Sequence, residues 1–70
     1  MRPREVIRIL EHAGFVKWRQ KGSHLTLYRD SDRHALTVPI HFAKRVPKGT
    51  LRAIIRQAGL TTEEFLSYRD

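Results

Sequence analysis

His24 directly follows Gly22-Ser23 and is closely preceded by Lys17, Arg19 and Lys21. An imidazole has an ordinary pKa of about 6.5, so it can both give and take protons near neutrality. Cleaving RNA without a metal needs a base for the 2′-hydroxyl and an acid for the departing 5′-oxygen. It also needs cations where charge grows on the phosphate. His24 with the three cations before it could supply those parts. Gly22 permits backbone angles closed to other residues, so a substrate or another strand can come close there. A second imidazole, His41, stands in Val38-Pro39-Ile40-His41 and is the candidate partner for a two-histidine acid/base pair. The competing reading is a histidine at a strand edge with a structural or incidental role. His12 and His34 read as surface residues without a role, His12 at a helix C-terminus where an imidazolium suits the helix dipole.

The chain that must position these residues has 70 residues, with 14 Lys and Arg against seven Asp and Glu, a formal charge of +7 and a calculated pI near 10.9. Such a charge attracts phosphate backbones and speeds association with polyanions. A basic solvated surface, or one shaped to meet an acidic protein, would have the same composition. With no cysteine, disulfides and thiolate metal sites are excluded. No apolar run of about 18 residues is present to form a transmembrane helix. Met1-Arg2-Pro3-Arg4-Glu5 leads into an amphipathic segment rather than a signal-peptide block. A cytoplasmic protein is expected, with residues 1–70 as one domain.

Val6, Ile7, Leu10 and Ala13 recur at helical spacing. Pro3 suits the first turn, and Gly14 the position after the last, with Phe15 folding back on the helix end. From Val16 the period becomes two, and Val16, Trp18 and Gln20 alternate with Lys17, Arg19 and Lys21. Gly22-Ser23 breaks the run. A second strand sets Leu25 and Leu27 on one face and His24, Thr26 and Tyr28 on the other. Asp30-Ser31-Asp32-Arg33 is turn chemistry, and a third strand, Ala35 to Val38, ends at Pro39. A loop from Ile40 to Val46 leads to a second helix, with Leu51, Ile54, Ile55 and Ala58 closed by Gly59. Thr61 with Glu64 has capping-box spacing, flanked by Leu60 and Phe65 at staple positions.

This order predicts an α+β fold, α-β-β-β-α with a short C-terminal helical turn. Three antiparallel strands carry two helices on one face and leave the other open. Trp18, Leu25, Leu27, Leu36, Leu51, Ile54 and Ile55 are the expected core. Pleat alternation then sends Lys17, Arg19, Lys21, His24, Thr26, Tyr28, Ala35 and Thr37 to the open face. That face is commonly polar in antiparallel sheets, but the absence of any Asp or Glu from the set favours an anion-binding surface. On the second helix Lys48, Arg52 and Arg56 recur every four residues, with Lys44 one step earlier. They form a basic ridge that is either a solvated flank or a phosphate contact. The sequence holds no Gly-rich phosphate loop, carboxylate pair or metal-spaced histidine cluster, so no metal or other cofactor is expected.

From Gly14-Phe15 through Gln20-Lys21-Gly22-Ser23-His24 to Val38-Pro39 with His41, the sequence resembles the HicA toxins. These are the RNA-cleaving halves of HicA–HicB toxin–antitoxin modules. The likeness continues through Lys48-Gly49-Thr50-Leu51, Ile54, Gln57-Ala58-Gly59-Leu60 and Glu64-Phe65. It therefore spans nearly the whole chain in order and is weakest from Phe42 to Pro47, which includes Lys44 and Arg45. The resemblance implies a fold like the double-stranded-RNA-binding domain. It also implies metal-free endoribonuclease activity on messenger RNA and an acidic HicB-like antitoxin that blocks it. The family's catalytic histidine falls on His24; Ser23, Gly22 and His41 are candidates for support, and the role of His41, which matches a histidine recurrent in the family, stays open. Lys17, Arg19, Lys21, Tyr28, Lys48, Arg52 and Arg56 are the candidate RNA contacts. A non-catalytic RNA-binding module and a protein-binding domain are the competing classes. Pure binding needs no proton-transfer group at position 24, which separates the first of them from an enzyme.

Overall fold

A computed structural model describes residues 1–41 and 44–69. Phe42 and Ala43, in the loop where the family likeness is weakest, and Asp70 lie outside the described residues. The elements run α1 (Pro3–His12), β1 (Val16–Lys21), β2 (His24–Arg29), β3 (His34–Pro39), α2 (Lys48–Gln57) and α3 (Thr62–Ser67). The strands form one antiparallel sheet in the order β1-β2-β3. This is the α-β-β-β-α arrangement that the change of hydrophobic period predicts, with α3 as the short C-terminal turn. Among the described residues no helix is long and apolar enough to cross a membrane.

The core lies between one sheet face and the helices. Leu25 and Leu27 of β2 and Leu36 and Val38 of β3 meet Val6, Ile9 and Leu10 of α1 and Ile54, Ile55 and Ala58 of α2. Phe15, Val46 and Phe65 close its margins. Leu51 is only half-buried, packed against the edge of this cluster.

Both long helices stop in the same way. The N–H of Gly14 donates to Glu11 C=O and that of Phe15 to Leu10 C=O, each at 3.0 Å. Gly59 N–H donates to Arg56 C=O at 3.0 Å and Leu60 N–H to Ile55 C=O at 3.2 Å. These paired bonds are Schellman motifs, which satisfy carbonyls that a helix end would otherwise leave bare. α3 starts on the expected capping box, with Glu64 N–H donating to Thr61 Oγ1 at 3.0 Å and Thr61 N–H to Glu64 Oε1 at 2.8 Å.

β1 departs from the alternation expected of it. Lys17 pairs with Leu27 and Arg19 with Thr26, so Trp18 is the extra residue of a β-bulge. Because the side-chain period of a strand is two, one inserted residue reverses the phase on its far side. Val16 stands opposite Tyr28 on the open face, and Lys17 opposite Leu27 on the helix side. Beyond the bulge, Arg19 and Lys21 return to the open face opposite Thr26 and His24. Three expectations therefore fail: Val16 and Trp18 do not face the helices, and Lys17 does not share a face with Arg19 and Lys21. Trp18 is 63% exposed and Val16 59%, and no residue of β1 belongs to the core.

Candidate active site

The turn between β1 and β2 brings the two candidate histidines together. Lys21 pairs with His24, leaving Gly22-Ser23 as a two-residue hairpin turn. Gly22 takes φ 59° at the first central position. That is the position where II′ hairpin turns place glycine, because their twist matches that of the strands. The Nε2 of Gln20 donates to Gly22 C=O at 3.0 Å and braces the turn. On its other side His24 pairs with Pro39 of β3. Proline has no N–H, but the N–H of Ile40 donates to Ser23 C=O at 2.7 Å and holds the outgoing chain against the turn. His41 follows at once. Its ring centroid lies 6.4 Å from that of His24, with the planes inclined at 55°, and both residues are exposed.

Around this pair the open face is basic and aromatic. Lys21 is directly across from His24, and Arg19 across from Thr26. Thr26 and Thr37 approach each other through their hydroxyls at 3.5 Å. Tyr28 donates to Asp30 Oδ1 at 3.2 Å; desolvation, then this bond, pushes its phenol pKa up. The Trp18 ring lies 6.3 Å from that of Tyr28, and the Arg19 guanidinium lies over the Trp18 ring at 5.4 Å. No strand residue is Asp or Glu.

Other candidate contacts fall elsewhere. Lys17 lines a groove along α1 with Arg2, Arg4, Arg8 and Ile40. The sequence reading passed over that groove, although Arg4 and Arg8 are spaced one helical turn apart. Lys48, Arg52 and Arg56 are exposed on α2, in the helix layer rather than on the open sheet face. The described residues thus carry basic groups on both layers, and only Arg19 and Lys21 share a face with His24.

The opposite end of the sheet holds a charged cluster that the sequence reading missed. Arg29, the last residue of β2, has a side chain only 12% exposed. Its guanidinium donates to Ala13 C=O at 3.1 Å and to Ala58 C=O at 3.0 Å. Those are the C-cap residues of α1 and α2. It also forks onto Asp32 at 2.9 and 2.7 Å and stacks over Phe15 at 4.5 Å. The Arg29 bond, above all, holds the Asp32 carboxyl at about 2, well below its ordinary 3.8. His34 Nδ1 sits 2.9 Å from Asp32 Oδ2, so His34 has a structural place rather than none. His12 is also engaged, its Nδ1 2.9 Å from the carbonyl of Tyr68. The available signal was an arginine two residues before an Asp-Ser-Asp turn, but nothing local tells that it reaches two helix ends.

Among the described residues no three His, Asp or Glu side chains gather in a set able to hold a metal ion. Comparison with known families matches residues 3–60 of the 70 to the family described as HicA toxin of bacterial toxin-antitoxin. A comparison with curated proteins finds no match.

Proposed function

This chain belongs to the HicA toxin family, and we propose that it is a metal-independent endoribonuclease that cleaves messenger RNA with His24 as general acid/base. The observation that carries this reading is the pairing of His24 and His41 at 6.4 Å on the open end of a basic sheet. In-line attack on phosphorus puts the entering and leaving oxygens on opposite sides, so two separate proton-transfer groups facing one phosphate serve it well. One imidazole removes the proton of the 2′-hydroxyl as O2′ bonds to phosphorus. The other gives its proton to the 5′-oxygen as the P–O5′ bond breaks. The products are a 2′,3′-cyclic phosphate and a free 5′-hydroxyl. Lys21, across the ladder from His24, stabilises charge on the non-bridging oxygens. Gly22 and Ser23 support the site by keeping the turn tight beside it.

In this reading the toxin acts in the bacterial cytoplasm and is silenced by an acidic HicB-like antitoxin whose charge complements the +7 chain. Arg19, Lys21 and Tyr28 contact the substrate on the sheet face, and Lys17, Lys48, Arg52 and Arg56 hold more distant phosphates. The decisive experiment compares purified wild type with His24→Ala and His41→Ala on RNA in the presence of EDTA. A proton-transfer group contributes roughly 10²- to 10⁴-fold to rate, so His24→Ala should lose cleavage by that factor and stop arresting growth in cells lacking the antitoxin. Its thermal midpoint should hold, because the residue is exposed. Cleavage by His24→Ala at the wild-type rate refutes the assignment, and binding without cleavage by wild type leaves only an RNA-binding module.

A further inference from the structure

The most exposed large apolar side chain among the described residues, Trp18 at 63%, stands beside Tyr28, which shares the open sheet face with His24. Burying Trp18 would require the uninterrupted alternation that the bulge destroys. The ring is instead held in the open by Tyr28 on one side and by the Arg19 guanidinium at 5.4 Å. We propose that Trp18, Tyr28 and Arg19 form a stacking platform for unpaired bases of a single-stranded RNA whose scissile phosphate lies at His24 and His41. This inference deepens the endoribonuclease reading and rests on it.

Three observations favour this occupant. Aromatic rings stack on bases of any sequence, and an arginine beside them adds charge and cation–π attraction. The strands carry no carboxylate, and Asp30, in the turn, accepts from Tyr28. Finally, Tyr28 and His24 lie on one face of β2, four residues and therefore roughly 13 Å apart. A polynucleotide strand running along β2 would meet the platform a short distance from the bond that is cut. Stacking faces are accessible only where bases are not paired, which selects single-stranded segments over duplex. A groove suited to a partner helix is a different feature, and concavities of the described surface run along α1 and beside the C-terminal end of α2.

Trp18 is the sole tryptophan, so its fluorescence reports directly on the platform. The non-cleaving His24→Ala chain should be titrated with a short single-stranded RNA, with the same sequence as a duplex, and with an acidic control protein. The expected result is quenching that saturates with the single strand and is much weaker with the other two. With single-stranded RNA, Trp18→Ala should bind roughly 5- to 150-fold more weakly, the range for one lost base stack, and Trp18→Phe should recover most of it. Both variants should fold, because the position is outside the core. Unchanged affinity in Trp18→Ala, equal quenching by duplex, or quenching by the acidic protein alone overturns the platform. Wild-type cleavage alongside that result leaves the nuclease reading standing. Quenching by single-stranded RNA without wild-type cleavage removes the nuclease instead and keeps the platform as an RNA-binding surface.

Discussion

The two ends of β2 use similar residues for opposite purposes. At its start, His24 and His41 face each other across an exposed turn, with Lys21 opposite. At its end, Arg29 is anchored on the carbonyls that close α1 and α2 and forks onto Asp32, with His34 Nδ1 2.9 Å from the same carboxylate. Both ends therefore join a histidine to charged neighbours, and residue type alone does not tell them apart. What differs is the direction of the polar atoms. The Arg29 fork points inward and closes the two helices onto the sheet. The imidazoles point outward, where a phosphate can reach them. A histidine beside charges becomes a functional candidate only when the fold leaves its chemistry turned toward solvent.

The sharpest way to break this comparison is to exchange the expected losses. Arg29→Ala would leave Ala13 C=O and Ala58 C=O without their donor and Asp32 without its fork. Each part-buried carbonyl left without its donor costs about 1 to 3 kcal/mol, whereas the exposed Asp32 adds little. The two carbonyls together cost a large part of the roughly 4 to 10 kcal/mol available to a chain this small. Urea unfolding should show Arg29→Ala largely unfolded at 37 °C, and Arg29→Lys should recover little, because an ammonium lacks the planar fork. His24→Ala should show the reverse, losing cleavage and keeping its unfolding midpoint. If Arg29→Ala stays as stable as wild type, the inward-facing cluster does not hold the helices.

How much of this was legible in the sequence follows from the range of each signal. Helix stops, the capping box at Thr61 and Glu64, and the inward phase of Leu25, Leu27, Leu36 and Val38 depend on neighbours within a few residues. All of these were readable. The bulge at Trp18 was not, because an apolar residue at an alternating position reads as inward, and only pairing with β2 shows the inserted residue. That one residue moved Trp18 out of the core and Lys17 off the open face. Arg29 was missed for a similar reason: its carbonyl partners lie 16 and 29 residues away in sequence. The nearness of His41 to His24 was open in the sequence, and the Ile40–Ser23 hydrogen bond is what brings the two loops together.

A smaller effect should separate the glycines at the two ends. Gly22 and Gly59 both have positive φ, 59° and 73°, so alanine at either should cost about 1 to 2 kcal/mol. A Cβ on Gly22 would meet nothing within 4 Å, whereas one on Gly59 would lie 2.7 Å from His34 Nε2. The His34 ring cannot turn aside without giving up its place beside Asp32. Gly59→Ala should therefore be the more destabilising of the two in thermal denaturation, and adding His34→Ala should remove the excess. Equal losses at the two positions would show that His34 yields freely and that its contact with Asp32 is incidental.

The smallest expected effect is one of pH, and it tests the Asp32 link by itself. The Arg29 fork lowers the Asp32 carboxyl from 3.8 to about 2 in the folded chain. A carboxyl whose pKa falls on folding favours the folded state wherever it is ionised in both states, that is, above about pH 4. As pH drops from about 4 toward 2, the unfolded chain takes up the proton first, and the contribution disappears. The thermal midpoint of wild type should therefore decline across that window by more than the midpoint of Asp32→Asn, which has no proton to gain there. Asp32→Asn should start lower at neutral pH, because an amide carbonyl accepts from Arg29 without the opposite charge. Asp32 is substantially exposed, so solvent screens the pair and the difference between the two curves should be modest. Raising the salt concentration should narrow that difference further. Parallel curves from pH 5 to pH 2 would mean that the carboxylate adds no charge-dependent stability. The inward end of β2 would then rest on the two bonds from Arg29 to the helix carbonyls.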